Sequence, residues 1–303
     1  MHTQKHWKFI LCLIGLFAAV PLTAQENVAI ATKVTGEVQL KRADADEFAT
    51  EVQLGTRIQT NDRVRTGADG YLVLVFLDDK SQLKIQSNSE LLMLAKADQQ
   101  NGQISKEIQM DRGKLKAEVA RQQRGKFIIA TPTSVASVKG TGFWLKILQS
   151  FDQLLVDEGL VTFLNKISGD SVSVKANYGA NSSADGTLET FILIGMRGTI
   201  RSYDASQGQY TLADYEVTSQ PEDTTISVSN TVWTTDQTVL EGDTPSEGAE
   251  INVTGTVRED GSVDAVVLST IETDSGKEEH ELKIEFEDAQ GNKKTLEIQY
   301  KEE

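Results

Sequence analysis

A fully apolar heptapeptide between two turn signals constrains the fold of this chain more than any other feature. The segment Tyr71–Leu77 (YLVLVFL) is apolar at every position, so both faces of the strand that it predicts must be covered by other parts of the protein. Gly67 and Gly70 precede it and permit the positive φ angles of a tight turn. After a second turn at Asp78–Ser81, residues 82–86 alternate polar and apolar side chains, as in a half-buried strand. The sequence therefore predicts a β-hairpin inside a packed sheet or sandwich.

The remaining sequence has the pattern of an all-β protein. Its candidate strands are short, rich in β-branched residues and separated by Gly, Asn and Asp. The segment Glu107–Val119 predicts two strands around Arg112-Gly113, and Gln153–Leu164 predicts a hairpin that turns at residues 157–159. Pro132 cannot donate a ladder hydrogen bond and predicts a strand end or edge. These patterns indicate strands throughout and almost no helix.

The N-terminus has the composition of a secretory signal peptide, over Met1–Ala24. Lys5 and Lys8 supply the basic region, and Phe9–Val20 supplies an apolar core that ends before a small residue suited to cleavage. The alternative is a retained membrane anchor, but this apolar run is short against the ~20 residues that a spanning helix needs. We therefore expect an exported protein, periplasmic, secreted or at the cell surface, with no transmembrane span after cleavage.

The charge balance excludes some partners. The chain has 30 basic and 45 acidic residues, a formal net charge of −15, which repels nucleic-acid phosphates and anionic lipids. Its one cysteine, Cys12, lies in the leader, so we expect a core that is stable without disulfides. One basic cluster is interpreted as the solvated face of an edge strand rather than as a binding patch, and it comprises Lys114, Lys116, Arg121, Arg124 and Lys126.

A series of short motifs follows the chain through its first half. Each combines a turn with a short apolar strand, and in order they are Gly36-Glu37-Val38, Asn61–Gly70, Leu72–Ile85, Gly113, Thr131–Ser134, Lys139–Phe143 and Leu155–Val161. This collinear set resembles the FecR domain. Asn61 replaces the first glycine of the family's G-D-x-[VI]-x-T-G-x-x-G pattern, and Gly142 stands where the family often has an acidic residue.

The resemblance covers Val28–Asn165 and implies an all-β domain, a sandwich or a short solenoid-like stack. It implies no catalytic residues, because the family's signature positions are structural turns and core. The best-known FecR relatives are inner-membrane signal transducers with a cytosolic anti-sigma region before a single membrane span. Because a secretory signal begins this sequence, we expect no such cytosolic region here and instead an exported binding or assembly module.

The second half follows a different pattern. The segment Ala176–Gly186 is rich in Ser, Asn, Ala and Gly and predicts a loop, and strands at roughly ten-residue spacing from Gly195 onward predict a five- or six-stranded barrel. Gly198–Ser269 weakly resembles small exported OB-like domains of unsettled role. The expected organisation is a signal peptide (1–24), a FecR-like β domain (28–165), a linker with a short strand (166–194), a small OB-like β-barrel (195–270) and an acidic C-terminal hairpin tail (271–303).

The residue inventory argues against catalysis. After the leader no cysteine remains, and His280 is the lone histidine, which excludes thiol catalysis, an ordinary Ser-His-Asp triad and a zinc site. The acidic pairs Asp78/Asp79, Asp157/Glu158 and Glu222/Asp223 fall in predicted turns, where Asp is favoured for local hydrogen bonds. No D-x-D-x-D-G calcium loop occurs. We expect no enzyme, no cofactor and no metal.

Two tryptophans are the candidate ligand-facing residues, Trp144 and Trp233. Because adjacent strand residues point to opposite faces, either Trp144 or Phe143 must leave the core side, and an exposed indole ring suits stacking against a sugar. We predict a non-catalytic binding or scaffold protein of the bacterial cell envelope, whose partner is an envelope protein or a glycan. The alternatives are a glycan- or peptidoglycan-binding module and an envelope signalling sensor that contacts a receptor.

Overall fold

The computed structural model describes residues 27–98, 103–121, 126–222, 224–271, 279–287 and 293–301. The predicted signal peptide Met1–Ala24 lies outside these residues. Every regular element in the described ranges is a β-strand, which confirms the all-β prediction. No helix in these ranges is long and apolar enough to span a bilayer.

Seventeen strands within the described ranges form a β-sandwich. They are β1 (Asn27–Thr35), β2 (Val38–Lys41), β3 (Thr50–Glu51), β4 (Arg57–Gln59), β5 (Arg63–Thr66), β6 (Tyr71–Phe76), β7 (Gln82–Ile85), β8 (Glu90–Asp98), β9 (Gln103–Glu118), β10 (Phe127–Ala130), β11 (Ser134–Val138), β12 (Gly142–Ile147), β13 (Phe151–Glu158), β14 (Leu160–Asn165), β15 (Ser171–Lys175), β16 (Tyr178–Ser183) and β17 (Leu188–Ile192).

Two sheets share the long strand β9. Sheet 1 has the order β4-β1-β6-β7-β9-β12-β13-β16-β17, and sheet 2 has the order β3-β2-β5-β8-β9-β10-β11-β14-β15. The first part of β9 pairs with β8 and β10, and the part from Gly113 onward pairs with β7 and β12. The two strands predicted around Arg112-Gly113 are therefore one continuous strand that passes from one sheet to the other.

The apolar heptapeptide forms β6, an inner strand of sheet 1 between β1 and β7. Leu72, Leu74 and Phe76 point into the core between the sheets, and Val73 and Val75 on the opposite face are buried as well. Burial on both faces is what the uninterrupted apolar pattern predicts.

The segment 166–194, expected to be a linker with one short strand, is instead mostly strand. β15 pairs with β14, β16 pairs with β13, and β17 pairs with β16, so the segment adds strands to both sheets. Small residues suit this position because the backbones approach closely: Ala180 is fully buried, and a Cβ on Gly179 would lie 2.3 Å from the Phe191 ring. The linker expectation failed because small polar residues give no alternating apolar pattern, although their backbone pairs normally.

The next six strands form a closed barrel and one strand beside it. They are β18 (Ile194–Asp204), β19 (Gln209–Ser219), β20 (Thr231–Trp233), β21 (Val239–Glu241), β22 (Glu250–Val257) and β23 (Val263–Thr270). Five of them close through the order β20-β19-β18-β22-β23 and the parallel pairing of β20 with β23, and β21 extends alongside β23. The barrel has its own core, which includes Met196, Leu212 and Ile251. This confirms the predicted barrel.

Two further strands, β24 (Glu279–Glu287) and β25 (Lys293–Lys301), pair as an antiparallel hairpin. The C-terminal hairpin expected from the sequence is therefore present in the backbone.

Candidate functional site

The sandwich and the barrel meet through a small apolar cluster, which we call the module contact. It consists of Trp144 and Leu155 from the sandwich, Leu193 from the chain between β17 and β18, and Val239 and Val267 from the barrel. Each of these side chains is buried. Because the cluster is separate from the cores of the sandwich and of the barrel, it holds the two parts together without belonging to either.

Strand β12 contributes Trp144 to the module contact because successive side chains of a strand point to opposite faces of the sheet. Phe143 and Leu145 point into the sandwich core, and Trp144 and Lys146 point to the opposite face. That outward face is covered by the barrel, so Trp144 is only 1% exposed. The expected exposure of Trp144 is therefore not what the structure shows, because the sequence pattern does not reveal that a distant segment packs on this face.

A cleft of about 290 Å³ lies beside the module contact. Trp144, Lys116 and Asp157 line it from the sandwich, while Asn252 and Thr254 line it from the barrel. Further polar groups at its wall are Asn177, Ser219, Glu241 and Ser269. The cleft thus brings the buried Trp144 ring together with many hydrogen-bonding groups from both parts of the protein.

Lys116 connects the aromatic and the acidic sides of this cleft. Its Nζ lies 5.7 Å from the centroid of the Trp144 ring, within cation–π range. The same Nζ lies 3.9 Å from Oδ2 of Asp157. Burial raises the pKa of Asp157, Lys116 opposes that rise, and the nearby carboxylates of Glu241 and Glu118 add to it. The cleft therefore carries more negative than positive charge, and Glu241 brings part of it from the barrel.

The chemistry of the cleft fits binding. Its lining has no cysteine or histidine and consists of carboxylate, amide, hydroxyl and ammonium groups beside apolar side chains. In the part of the chain that the structure describes, no group of three or more His, Cys, Asp or Glu residues is arranged to hold a metal ion.

Trp233 lies on β20 of the barrel and does not line this cleft. Its Nε1 donates a hydrogen bond to Ser262 Oγ at 3.1 Å, and the Arg258 guanidinium lies 4.7 Å from the ring centroid. Arg258 also pairs with Asp264 at 2.5 Å. The structure thus leaves the two candidate tryptophans in separate places, and the ligand role of each stays a prediction.

The basic cluster seen in the sequence has a different setting from the one expected. Lys114 and Lys116 lie on β9, which has β7 and β12 on its two sides, so they are not on an edge strand. Burial lowers the pKa of Lys114, and Asp236 of the barrel opposes that change. Arg124 lies outside the described residues. Lys114 and Lys116 face the barrel, which alternation alone could not show.

Two of the sequence motifs prove to be structural. In the Thr131–Ser134 motif, the hydroxyls of Thr131, Thr133 and Ser134 all donate to Oδ2 of the buried Asp152, at 2.5 Å from Thr131 and 2.7 Å from Ser134. This carboxylate therefore ties the β10–β11 turn to β13.

The second structural motif surrounds Asp62. Its buried Oδ2 accepts hydrogen bonds from Arg42 Nη1 at 2.6 Å and from the backbone N–H of Gln59 at 2.7 Å. The preceding residue, Asn61, has a φ of 68°, a left-handed conformation that Gly adopts freely and Asn tolerates better than most residues. Asn61 can therefore stand where the FecR pattern has glycine.

Comparison with known families agrees with this architecture. Residues 62–162 match the family model described as FecR protein. This part of the chain is a FecR domain. It includes β5 to β13 and the first half of β14, and therefore Trp144, Lys116 and Asp157 of the cleft.

Solved structures and curated proteins add little beyond this match. Two crystal structures of a protein described as an anti-sigma factor from Parabacteroides distasonis ATCC 8503 align at 14% identity, with TM-scores of 0.37 and 0.36. Each alignment covers 43% of this chain, and the chain spans 59% of each of those chains. No curated protein matches the sequence.

Proposed function

We propose that this chain is a non-catalytic, exported binding protein of the bacterial cell envelope, and that the cleft between the sandwich and the barrel is its binding site. The observation that carries this proposal is the composition of the cleft, whose walls bring hydrogen-bonding side chains from both parts together beside the buried Trp144. Export rests on the signal-peptide pattern of Met1–Ala24. The partner is an envelope protein or a glycan, bound without a cofactor, and the net charge of −15 disfavours nucleic acid.

The FecR domain supports a regulatory role at the envelope as a second candidate function. In that role the chain is a sensor that contacts an envelope receptor, and the cleft is the receptor's docking site. We also infer a division of the chain into a FecR-containing sandwich and a separate barrel that meet at Leu193–Ile194, since each part has its own core.

Co-sedimentation tests these candidates directly. The protein is mixed with isolated peptidoglycan and, separately, with outer-membrane fractions, at low and at high salt. Pelleting with peptidoglycan that salt does not weaken supports a glycan partner. Pelleting only with membranes, abolished when the membranes are first treated with protease, supports a protein partner. A protein that stays in the supernatant in every case contradicts envelope binding.

Cleft variants link the binding to the proposed site. We expect the double variant D157N/N252A to bind at least tenfold more weakly, because it removes a carboxylate charge from one wall of the cleft and an amide group from the other. Asp170 is exposed in the turn before β15 and does not line the cleft, so D170N serves as the matched control and should bind normally. Equal binding by all three proteins would place the site elsewhere.

A further inference from the structure

Lys146 is a fully buried lysine at the module contact. It lies on β12 with 0% of its surface exposed, and its Nζ donates a hydrogen bond of 2.8 Å to the backbone carbonyl of Val266 in the barrel. Among the described residues, that carbonyl is the hydrogen-bond partner of its amine and no carboxylate forms an ion pair with it. A buried ammonium group without a counter-charge is costly, because it loses the hydration that it has in water.

The groups that face Lys146 increase this cost. Lys114 on β9 is its register partner in sheet 1 and carries the same charge, and Gln153, its partner on β13, is neutral. Asp236 of the barrel carries the opposite sign, but it acts on Lys114. In the cleft, Lys116 and Asp157 form an ion pair with each other. Burial first, and Lys114 second, lower the pKa of Lys146 from its ordinary 10.5 to about 7.

We propose that the contact between the sandwich and the barrel depends on protons, with the uncharged Lys146 amine favouring the docked arrangement and its protonation favouring separation. Separation exposes the amine to water, where it holds its proton more strongly. Separation is therefore accompanied by proton uptake. Because the cleft is formed by both parts, separation also takes its two walls apart.

The direction of the pH dependence follows from linkage. Between the docked pKa of about 7 and the ordinary value of 10.5, the docked protein binds fewer protons than the separated one, so docking strengthens as the pH rises, by about tenfold per pH unit. Below pH 7 the amine is protonated in both arrangements, and the contribution of Lys146 to the equilibrium no longer changes.

The fluorescence of Trp144 reports the docked state, since its ring is buried in the module contact. The other two tryptophans are removed in the background variant W7F/W233F, used as the full chain. The measured quantities are acrylamide quenching of Trp144 between pH 6.5 and 9.5, and the urea concentration at which Trp144 becomes accessible. K146M carries an uncharged side chain of similar length, and K146R a permanent charge. K139M serves as the control, because Lys139 is exposed on the loop before β12.

We expect the urea concentration that exposes Trp144 to rise between pH 7 and 9.5 in the background protein and in K139M. In K146M it should be high and nearly constant with pH, and in K146R low and nearly constant, with Trp144 quenched more easily. The proposal is overturned if the background protein and K146M show the same pH profile. It is equally overturned if K146R keeps Trp144 as protected as K146M does. Neither result depends on the identity of any ligand, so failure here is distinct from failure of the proposed binding function.

Discussion

At the scale of single residues, Asp152 determines how the turn before β11 is held. Its buried carboxylate accepts three hydroxyl hydrogen bonds, from Thr131, Thr133 and Ser134. D152A leaves these donors without their acceptor, so we expect a loss of about 2–4 kcal/mol in the free energy of unfolding. Urea denaturation measures this loss in the free energy of unfolding. D170A, which truncates an exposed carboxylate, should change stability by less than about 0.5 kcal/mol, and an equal loss in both would contradict the role of Asp152.

Asn61 allows a second test at this scale, because its φ of 68° is the conformation for which the FecR pattern has glycine. N61G should be nearly neutral, since Gly adopts this conformation without strain. N61V should destabilise by about 1–2 kcal/mol, because a β-branched side chain clashes with the backbone there. Asn61 is exposed, so lost packing does not complicate the comparison of the two melting curves. Similar melting of the two variants would show that backbone conformation is not what selects the residue.

At the scale of elements, strand β9 is the feature that makes two sheets from one chain. Gly113 marks the point at which β9 leaves sheet 2 for sheet 1, with a φ of 103° and no room for a Cβ, which would lie 2.1 Å from Ser89 Oγ. G113A therefore combines backbone strain with a clash, and we expect it to destabilise by roughly 2–4 kcal/mol.

Gly169 provides the matched control for Gly113. It also has a positive φ, of 79°, but no atom lies within 4 Å of an added Cβ. G169A should therefore show strain alone, about 1 kcal/mol, in the same denaturation experiment. A G113A variant as stable as G169A would indicate that β9 can cross between the sheets without a glycine.

The elements also show what a sequence can reveal. The hairpin of β6 and β7 and the barrel strands could be predicted because their apolar periodicity and turn residues are local. β15, β16 and β17 could not, because Ser, Asn and Gly give no such period and the pairing is decided by β13 and β14. For the same reason Trp144 and Lys146 could be assigned to one face of β12 but not to the module contact. Lys146 meets Val266 across 120 residues of sequence, and no local pattern reports such a partner.

At the scale of the whole molecule, the module contact decides whether the sandwich and the barrel behave as one unit. Trp144 is its largest side chain, and it is buried against Leu155, Leu193 and Val267. We expect W144A to lose about 3–5 kcal/mol, the range for truncation of a buried Trp. Because that energy stabilises the contact rather than either core, calorimetry should show one transition for the native protein and two for W144A.

The control for W144A is L240A, which truncates a barrel side chain that is 45% exposed and should leave the single transition in place.

The same proteins can be carried through the co-sedimentation assay. If W144A melts like the native protein yet no longer pellets with envelope fractions, the ring serves a ligand and not the contact. If W144A separates the two transitions and also loses binding, while D157N/N252A loses binding without separating them, then binding requires the two modules to be docked. That last pattern is the one we expect, because the walls of the cleft come from both parts of the chain.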